Sequence, residues 1–147
     1  MFGILMIWFC NTPVEIMDKK FEVRKTGTGL YFRKFFGDID LESYLDSWGG
    51  IIDIMDREVE CLVVMTDYTS GLIRMGQDDF SIVSNFMRCN LGGLTRLTCA
   101  AITDNEDNIL KLALWKEEMI MHGVALYGKI FPTLHEAEEF LGQKVDG

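Results

Sequence analysis

The residues best suited to chemistry lie at positions 63–72, where the sequence reads VVMTDYTSGL. An acid, Asp67, is followed by two hydroxyl-bearing residues, Thr69 and Ser70, and then by a glycine. A hydroxyl in such a stretch could accept a phosphate, which would add about two negative charges and three hydrogen-bond acceptors. The alternative is a turn that ends a buried strand, in which the hydroxyls bond nearby backbone groups.

Other groups that perform catalysis or bind metals are few and far apart. The two histidines, His122 and His135, lack the spacing of a metal-binding helix. We expect His122 at a helix end, where an imidazolium complements the dipole, and His135 in solvent in a first helical turn. The TGTGL stretch at 26–30 favours a hairpin over a phosphate loop, and DNED at 104–107 favours a helix start. We therefore predict a protein that is not an enzyme, with no catalytic residue, cofactor or metal.

Composition limits the partners and the compartment. The 23 acidic against 14 basic residues give a formal charge of -9, which repels nucleic acid and anionic membrane surfaces. The four cysteines, Cys10, Cys61, Cys89 and Cys99, show no C-x-x-C spacing. They predict buried, reduced thiols in a cytoplasmic protein, and the negative charge predicts that nucleic acid is not a partner.

Two segments near the start predict an antiparallel pair of strands. FEVRK (21–25) and GLYFRKFFG (29–37) are rich in aromatic and β-branched residues and are separated by TGT. Alternation predicts two faces for the second strand: Tyr31, Arg33 and Phe35 on one, and Phe32, Lys34 and Phe36 on the other. The aromatic side chains, together with Trp48 and Trp115, are interpreted mainly as core.

The rest of the chain alternates between helical and extended patterns. Apolar spacing predicts a helix over 41–55 capped by Asp38 or Asp40, and a helix over 77–89 with Phe80, Val83, Phe86 and Met87 facing inward. Continuous apolar runs at 60–67, 94–103 and 123–131 predict buried strands. Capping boxes, Thr103 with Glu106 and Thr133 with Glu136, predict a helix to about Met121 and a terminal helix.

These elements predict one α/β domain with the order β-β-α-β-α-β-α-β-α. Strands that are separated by helices pair in parallel through right-handed crossovers. The expected architecture is therefore a mixed, mostly parallel sheet with helices packed on it.

The N-terminal MFGILMIWFC is apolar but lacks a basic leader region and the roughly 20 apolar residues of a spanning helix. No stable membrane insertion is therefore predicted. MDKKFEVRK begins at Met17 like a natural start, so residues 1–16 are interpreted as upstream sequence; an extra strand or an exposed hydrophobic tail is the alternative. We expect an N-terminal tail over 1–20, a domain over 21–142 and a C-terminal tail over 143–147.

The element order, with YFRKFFGDIDLESY, LVVMTDYTSG and GKIFPTLHEAEEFL, resembles the SpoIIAA-like superfamily, which contains STAS domains and small bacterial proteins of unassigned role. Its most recognisable part is the closing pattern formed by Phe131, Glu136, Ala137, Phe140 and Leu141. The resemblance covers residues 21–141 and implies the fold more firmly than an activity.

Antagonist members of that superfamily carry a D-S-[ST]-G-L motif at a helix start, where a kinase phosphorylates the serine. DYTSGL looks like this motif and implies a candidate phospho-switch or loop site at Asp67, Thr69 and Ser70. However, Asp67 directly ends a strand, and the next helix is expected only near Asp78. If Asp67 is aligned with the strand-end aspartate of the family, the position of the phosphorylated serine falls near Gly76 or Gln77, which cannot be phosphorylated. A loop is therefore favoured for Asp67, Thr69 and Ser70.

Three functions follow from these observations. The favoured one is a non-enzymatic regulatory or scaffold domain that acts through a protein partner or by self-association. The second is the binding of a small apolar ligand or lipid between sheet and helices, as in the lipid-transfer domains that some relatives resemble. The third, an enzyme, would need a polar cleft that unites Asp67, Ser70 and His122.

Overall fold

A computed structural model describes residues 5–9, 12–17, 20–26, 29–56, 59–91 and 93–142. For 5–9 and 12–17 the description covers the backbone alone. The predicted tail at 143–147 and Cys10 lie outside the described residues.

The described residues form nine strands and four helices. The strands are β1 (Leu5–Phe9), β2 (Thr12–Met17), β3 (Phe21–Lys25), β4 (Leu30–Phe35), β5 (Gly37–Ile39), β6 (Cys61–Asp67), β7 (Gly71–Ile73), β8 (Arg96–Ile102) and β9 (Leu126–Phe131). The helices are α1 (Leu41–Ile54), α2 (Gln77–Leu91), α3 (Glu106–Met121) and α4 (Leu134–Leu141).

Seven of the strands form one sheet in the order β1-β2-β3-β4-β6-β8-β9. Strands β1 to β4 pair antiparallel, whereas β4, β6, β8 and β9 pair in parallel. The prediction of an α/β domain with a mixed, mostly parallel sheet is therefore confirmed for the strands between residues 21 and 131.

The predicted element order is incomplete, because the structure adds β1, β2, β5 and β7. Strands β5 and β7 are three residues long and pair in parallel as a separate ribbon. Such short strands depend on tertiary pairing and leave little periodicity in the sequence. Strands β1 and β2 fall in the apolar N-terminal region and extend the sheet through β3. The start at Met17 stays a prediction.

Helices cover both faces of the sheet and divide the core in two. On one face, α1, α2 and α3 bury the larger cluster, which includes Val23, Trp48, Val64, Val83 and Trp115. On the other face, Ala137 of α4 belongs to a smaller cluster with Leu30, Phe32, Met65, Ala100 and Ile102. Among the described residues, no helix is long and apolar enough to cross a membrane.

The helix caps correct part of the sequence prediction. Asp40, not Asp38, caps α1 by accepting a hydrogen bond from the Ser43 N–H at 2.8 Å. The Thr103–Glu106 capping box is wrong, because Asn105 caps α3 and accepts a bond from the Asn108 N–H. Thr133 caps α4 as predicted. Asparagine is as good a cap as threonine, so the pattern alone did not separate these choices.

The prediction of buried cysteines is wrong for two of the three that are described. Cys61 and Cys89 are exposed, whereas Cys99 is buried. Cys61 is the first residue of β6, and Cys89 lies on the outer side of α2, so apolar sequence neighbours did not imply burial.

Candidate functional site

The DYTSGL stretch forms a tight corner at the carboxyl end of β6. One carboxylate oxygen of Asp67 accepts bonds from the Thr69 N–H at 2.8 Å and from the Thr69 hydroxyl at 2.6 Å. Ser70 is exposed, and its carbonyl accepts a bond from the Gly37 N–H at 2.8 Å. Asp67 and Thr69 thus adopt the local bonding of a turn. Phosphorylation of Thr69 or Ser70 stays a prediction.

The segment after Ser70 is held from both sides. Strand β7 pairs with β5 along one edge. Along the other edge, the Asn108 side chain donates to the Gly71 carbonyl at 3.0 Å and accepts from the Ile73 N–H at 2.9 Å. Asn108 therefore replaces a neighbouring strand. Ser70 precedes this strand rather than a helix, and α2 begins only at Gln77. This agrees with the prediction that Asp67 ends a strand and that the next helix begins near Asp78.

The residues of the enzyme hypothesis do not come together. Asp67 and Ser70 lie at the carboxyl edge of the parallel strands, whereas His122 follows α3, which runs back to the opposite edge. His122 is the C-cap of α3, as predicted, with its Nδ1 atom 2.9 Å from the Glu118 carbonyl oxygen. His135 is exposed and pairs with Glu139. Among the described side chains, no cluster of histidine, cysteine and acidic groups could hold a metal.

Arg33 is the residue whose environment the sequence analysis missed. The alternation correctly placed it beside Tyr31 and Phe35, but its side chain is only 1% exposed at the centre of the sheet. Its Nε donates to the Thr66 hydroxyl at 3.0 Å, and its Nη1 donates to the Ser47 hydroxyl at 3.1 Å. A charged side chain in an apolar core is costly unless its donors are satisfied.

Aromatic rings surround the Arg33 guanidinium. Its carbon atom lies 5.1, 4.7 and 4.4 Å from the ring centroids of Phe35, Tyr44 and Trp48. The hydroxyls of Tyr44 and Tyr68 both lie 3.4 Å from Nη2. No carboxylate within the described part of the chain pairs with Arg33. Neutral hydroxyls and ring faces therefore compensate the buried charge through hydrogen bonds and cation–π contacts.

Burial also governs the acidity of the groups near Arg33. It raises the pKa of the Cys99 thiol to about 12, with Arg33 acting in the opposite direction. Burial likewise raises the pKa of Tyr68 well above its usual value, again against the influence of Arg33. Both groups are therefore protonated at neutral pH. Neither is suited to act as a nucleophile or a general base.

Helix α3 is apolar on two opposite faces. Its inner face buries Asn108, Leu112, Trp115 and Met119. The exposed apolar residues, which we call the outer face of α3, are Ile109, Leu110, Ala113, Leu114, Ile120 and Met121. Leu110 is 65% exposed and Met121 is 78% exposed. A surface helix normally presents polar residues to solvent, so an outer face with this many exposed apolar side chains is unusual.

The exposed acidic side chains of α3 lie among and beside the apolar residues of its outer face. Glu106, Asp107 and Glu117 are exposed, and Glu117 lies four residues before Met121, within the same row of side chains. The helix also contains Lys111 and Lys116, whose amines donate to the Ile73 and Gly128 carbonyls at 2.8 and 3.0 Å. The exposed charges of α3 itself are therefore acidic.

A cavity of about 280 Å³ lies between α3 and strands β8 and β9. Its lining is mostly apolar and comprises Cys99, Ala101, Leu112, Ala113, Trp115, Lys116, Leu126, Gly128, Lys129 and Ile130. The ring of Trp115 stacks on Trp48, one of the rings that surround Arg33, with 6.5 Å between their centroids. The cavity is therefore separated from the Arg33 cluster by a wall of side chains.

Comparison with protein-family models, curated proteins and solved structures gives no match for this chain. The resemblance to the SpoIIAA-like superfamily therefore stays a prediction.

Proposed function

We propose that this chain is a non-enzymatic, STAS-like regulatory domain of the cytoplasm that binds a protein partner through the outer face of α3. The observation that carries this proposal is the exposed apolar stripe on a helix whose inner face is already packed. Exposed apolar side chains that are contiguous, rather than scattered, are typical of interaction sites.

The positions along the helix suit a helical partner. Leu110, Leu114 and Met121 recur at spacings of four and seven residues and project from one side of α3. Ala113 lies beside this row, one turn after Leu110, and adds a small apolar residue to the face. An amphipathic helix with its own apolar stripe would bury these side chains on docking, as in other helix-in-groove complexes.

The charge pattern selects among partners. The exposed acids Glu106, Asp107 and Glu117 lie on the same helix as the apolar side chains, with Glu117 in their row, and the chain carries a formal charge of -9. A second copy would bring the same acids together, which disfavours pairing of like faces. A basic amphipathic segment would instead place lysine or arginine against the acids. The proposed partner is therefore a basic helix with one apolar face.

Binding of a defined peptide tests this proposal. The probe is a labelled leucine/lysine peptide of about five helical turns with one apolar face, and the control peptide has the same composition in scrambled order. Fluorescence anisotropy is measured with the wild-type chain, with Leu110→Glu and Met121→Glu, and with Ile82→Glu. Ile82 is a matched control, because it is 50% exposed on α2 and lies outside the outer face of α3.

We expect saturable binding of the amphipathic peptide to the wild type and to Ile82→Glu. The Leu110→Glu and Met121→Glu variants should bind at least about tenfold more weakly, which corresponds to roughly 1.4 kcal/mol. Equal binding of the scrambled peptide, or full binding by Leu110→Glu, would overturn the proposal. A dimer in sedimentation experiments that Leu110→Glu disrupts, without peptide binding, would identify a second copy as the occupant instead.

A further inference from the structure

We infer that the cavity between α3 and strands β8 and β9 is a binding site for a small apolar carboxylate, such as a fused-ring aromatic acid. The inference is independent of the protein partner, because it rests on the shape of the cavity and on the two lysines, Lys116 and Lys129, in its wall.

The cavity exists because small residues face one another across it. Ala101 on β8, Ala113 on α3 and Gly128 on β9 contribute little volume to its lining. A Cβ atom on Gly128 would meet only ordinary contacts, the closest being the Cys99 carbonyl oxygen at 3.6 Å. The backbone at Gly128 does not have a positive φ, so glycine is not required there by conformation. What glycine provides at this position is open space.

The size and walls of the cavity define the body of the ligand. A cavity of roughly 150 Å³ can bind benzene, and this one measures about 280 Å³. It therefore has room for two fused rings, or for one ring with a short acid chain. Leu112, Leu126 and Ile130 provide aliphatic walls, and Trp115 provides an aromatic one.

Trp115 contributes its ring, not a polar atom, to the cavity wall. The residue is only 5% exposed, and its Nε1 atom is fully buried without a hydrogen-bond partner. An atom without accessible surface does not reach a ligand in the cavity, so the polar anchor comes from another residue of the lining.

Lys116 supplies the polar anchor and sets the charge of the ligand. Its amine donates one bond to the Gly128 carbonyl at 3.0 Å, and an ammonium group has two further hydrogens to donate. Lys116 lines the cavity together with Lys129. No acidic side chain is among the lining residues. A carboxylate on the ligand would thus meet a positive wall and would accept a bond from Lys116.

Isothermal titration calorimetry with 2-naphthoate and with the neutral 2-naphthalenemethanol tests the site on the full chain. The wild type should bind the acid at least about tenfold more tightly than the alcohol, since only the acid can form a charge-assisted bond with Lys116. Lys116→Met keeps the apolar stem and should abolish that preference. Gly128→Val should abolish binding of both compounds by filling the cavity. Ile82→Glu is the control, because Ile82 is exposed on α2 and does not line the cavity, and it should bind both as the wild type does.

Thermal unfolding distinguishes loss of the site from loss of the fold. Gly128→Val should unfold at the wild-type temperature or higher, because valine fills space and favours strands; Ala101→Val provides a second cavity-filling variant should Gly128→Val fail to fold. The inference would be overturned if neither compound binds the wild type at millimolar concentration. Wild-type affinity in a folded cavity-filling variant, or equal affinities for the acid and the alcohol in the wild type, would also overturn it.

Discussion

The guanidinium carbon of Arg33 lies 4.4 Å from the centroid of the Trp48 ring. Trp48 belongs to α1, whereas Arg33 belongs to the central strand β4. Ring contacts and hydroxyl groups, rather than a carboxylate within the described residues, therefore hold this cation at the centre of the domain.

Arg33→Met should destabilise the protein less than Arg33→Lys. Lysine keeps the buried charge but loses the planar fork that bonds Thr66 and Ser47, so we expect a loss of about 2–4 kcal/mol. Methionine removes the charge and its desolvation cost, and the loss should be about 1 kcal/mol. Urea-induced unfolding followed by tryptophan fluorescence measures both values. A lysine variant as stable as the wild type would contradict this account of the cluster.

Gly71→Ala should destabilise the corner that follows β6. An added Cβ would lie 2.9 Å from the Ile39 Cδ1 atom and 3.1 Å from the Phe35 Cβ atom. The Ile39 side chain can rotate away, but the Phe35 Cβ atom is fixed to the backbone of β4, so β7 must shift slightly from it, at a cost of about 1–3 kcal/mol. Gly49→Ala in α1 is the matched control, because its Cβ meets nothing within 4 Å and alanine favours helices. Chemical denaturation should separate the two variants; equal stabilities would refute the close packing at Gly71.

The stabilisation of the fold by Asp40 should decrease at acidic pH. The hydrogen bonds from Ser43, backbone first and hydroxyl second, lower the pKa of Asp40 from 3.8 to about 2. Because the pKa of Asp40 is lower in the folded state, its carboxylate makes its full contribution to the free energy of unfolding above about pH 4. This contribution is lost as the pH falls toward 2. Asp40→Ala should therefore cost about 1 kcal/mol at pH 7 as a lost helix cap, and less near pH 2.

The control for Asp40 is Asp38→Ala, which removes only an exposed ion pair with Arg74. That variant should lose less than about 0.5 kcal/mol at either pH. If the difference between wild type and Asp40→Ala stays constant from pH 7 to pH 2, the cap does not depend on the carboxylate.

The cysteines should differ in reactivity. Cys61 and Cys89 are exposed and should react with a maleimide in the native state. Cys99 should react only after unfolding, because it is buried and its pKa is raised to about 12. Peptide mapping by mass spectrometry after brief labelling measures the modification at each position. Rapid native labelling of Cys99 would show that the cavity it lines opens to solvent readily.

The sequence predicted the strands and helices whose apolar residues repeat with a regular spacing within the element itself. The apolar run at 60–67 and the spacing in 41–55 correspond to β6 and α1, because burial on one or two faces leaves a periodic signal. The same alternation placed Arg33 beside Phe35. It did not reveal that Arg33 is buried, because this depends on Tyr44, Ser47 and Trp48 packing over the strand.

The candidate site was less predictable than the fold. The loop interpretation of Asp67 and Thr69 agrees with their side-chain bonding, whereas the clamp by Asn108 joins residues far apart in sequence. The outer face of α3 had a signal that could have been read, namely apolar residues on both sides of the helix. The cavity had none, since small residues such as Gly128 reveal open space only when the elements around them are placed.

Hydrogen–deuterium exchange with the basic amphipathic peptide tests the proposed partner surface most directly. The exchange of each peptide segment is compared with and without the ligand, using the scrambled peptide as the control. We predict that the amphipathic peptide slows exchange along α3, residues 106–121, and leaves α2, residues 77–91, unchanged. Unchanged exchange along α3, or protection confined to another surface, would contradict the proposal that α3 is the binding face.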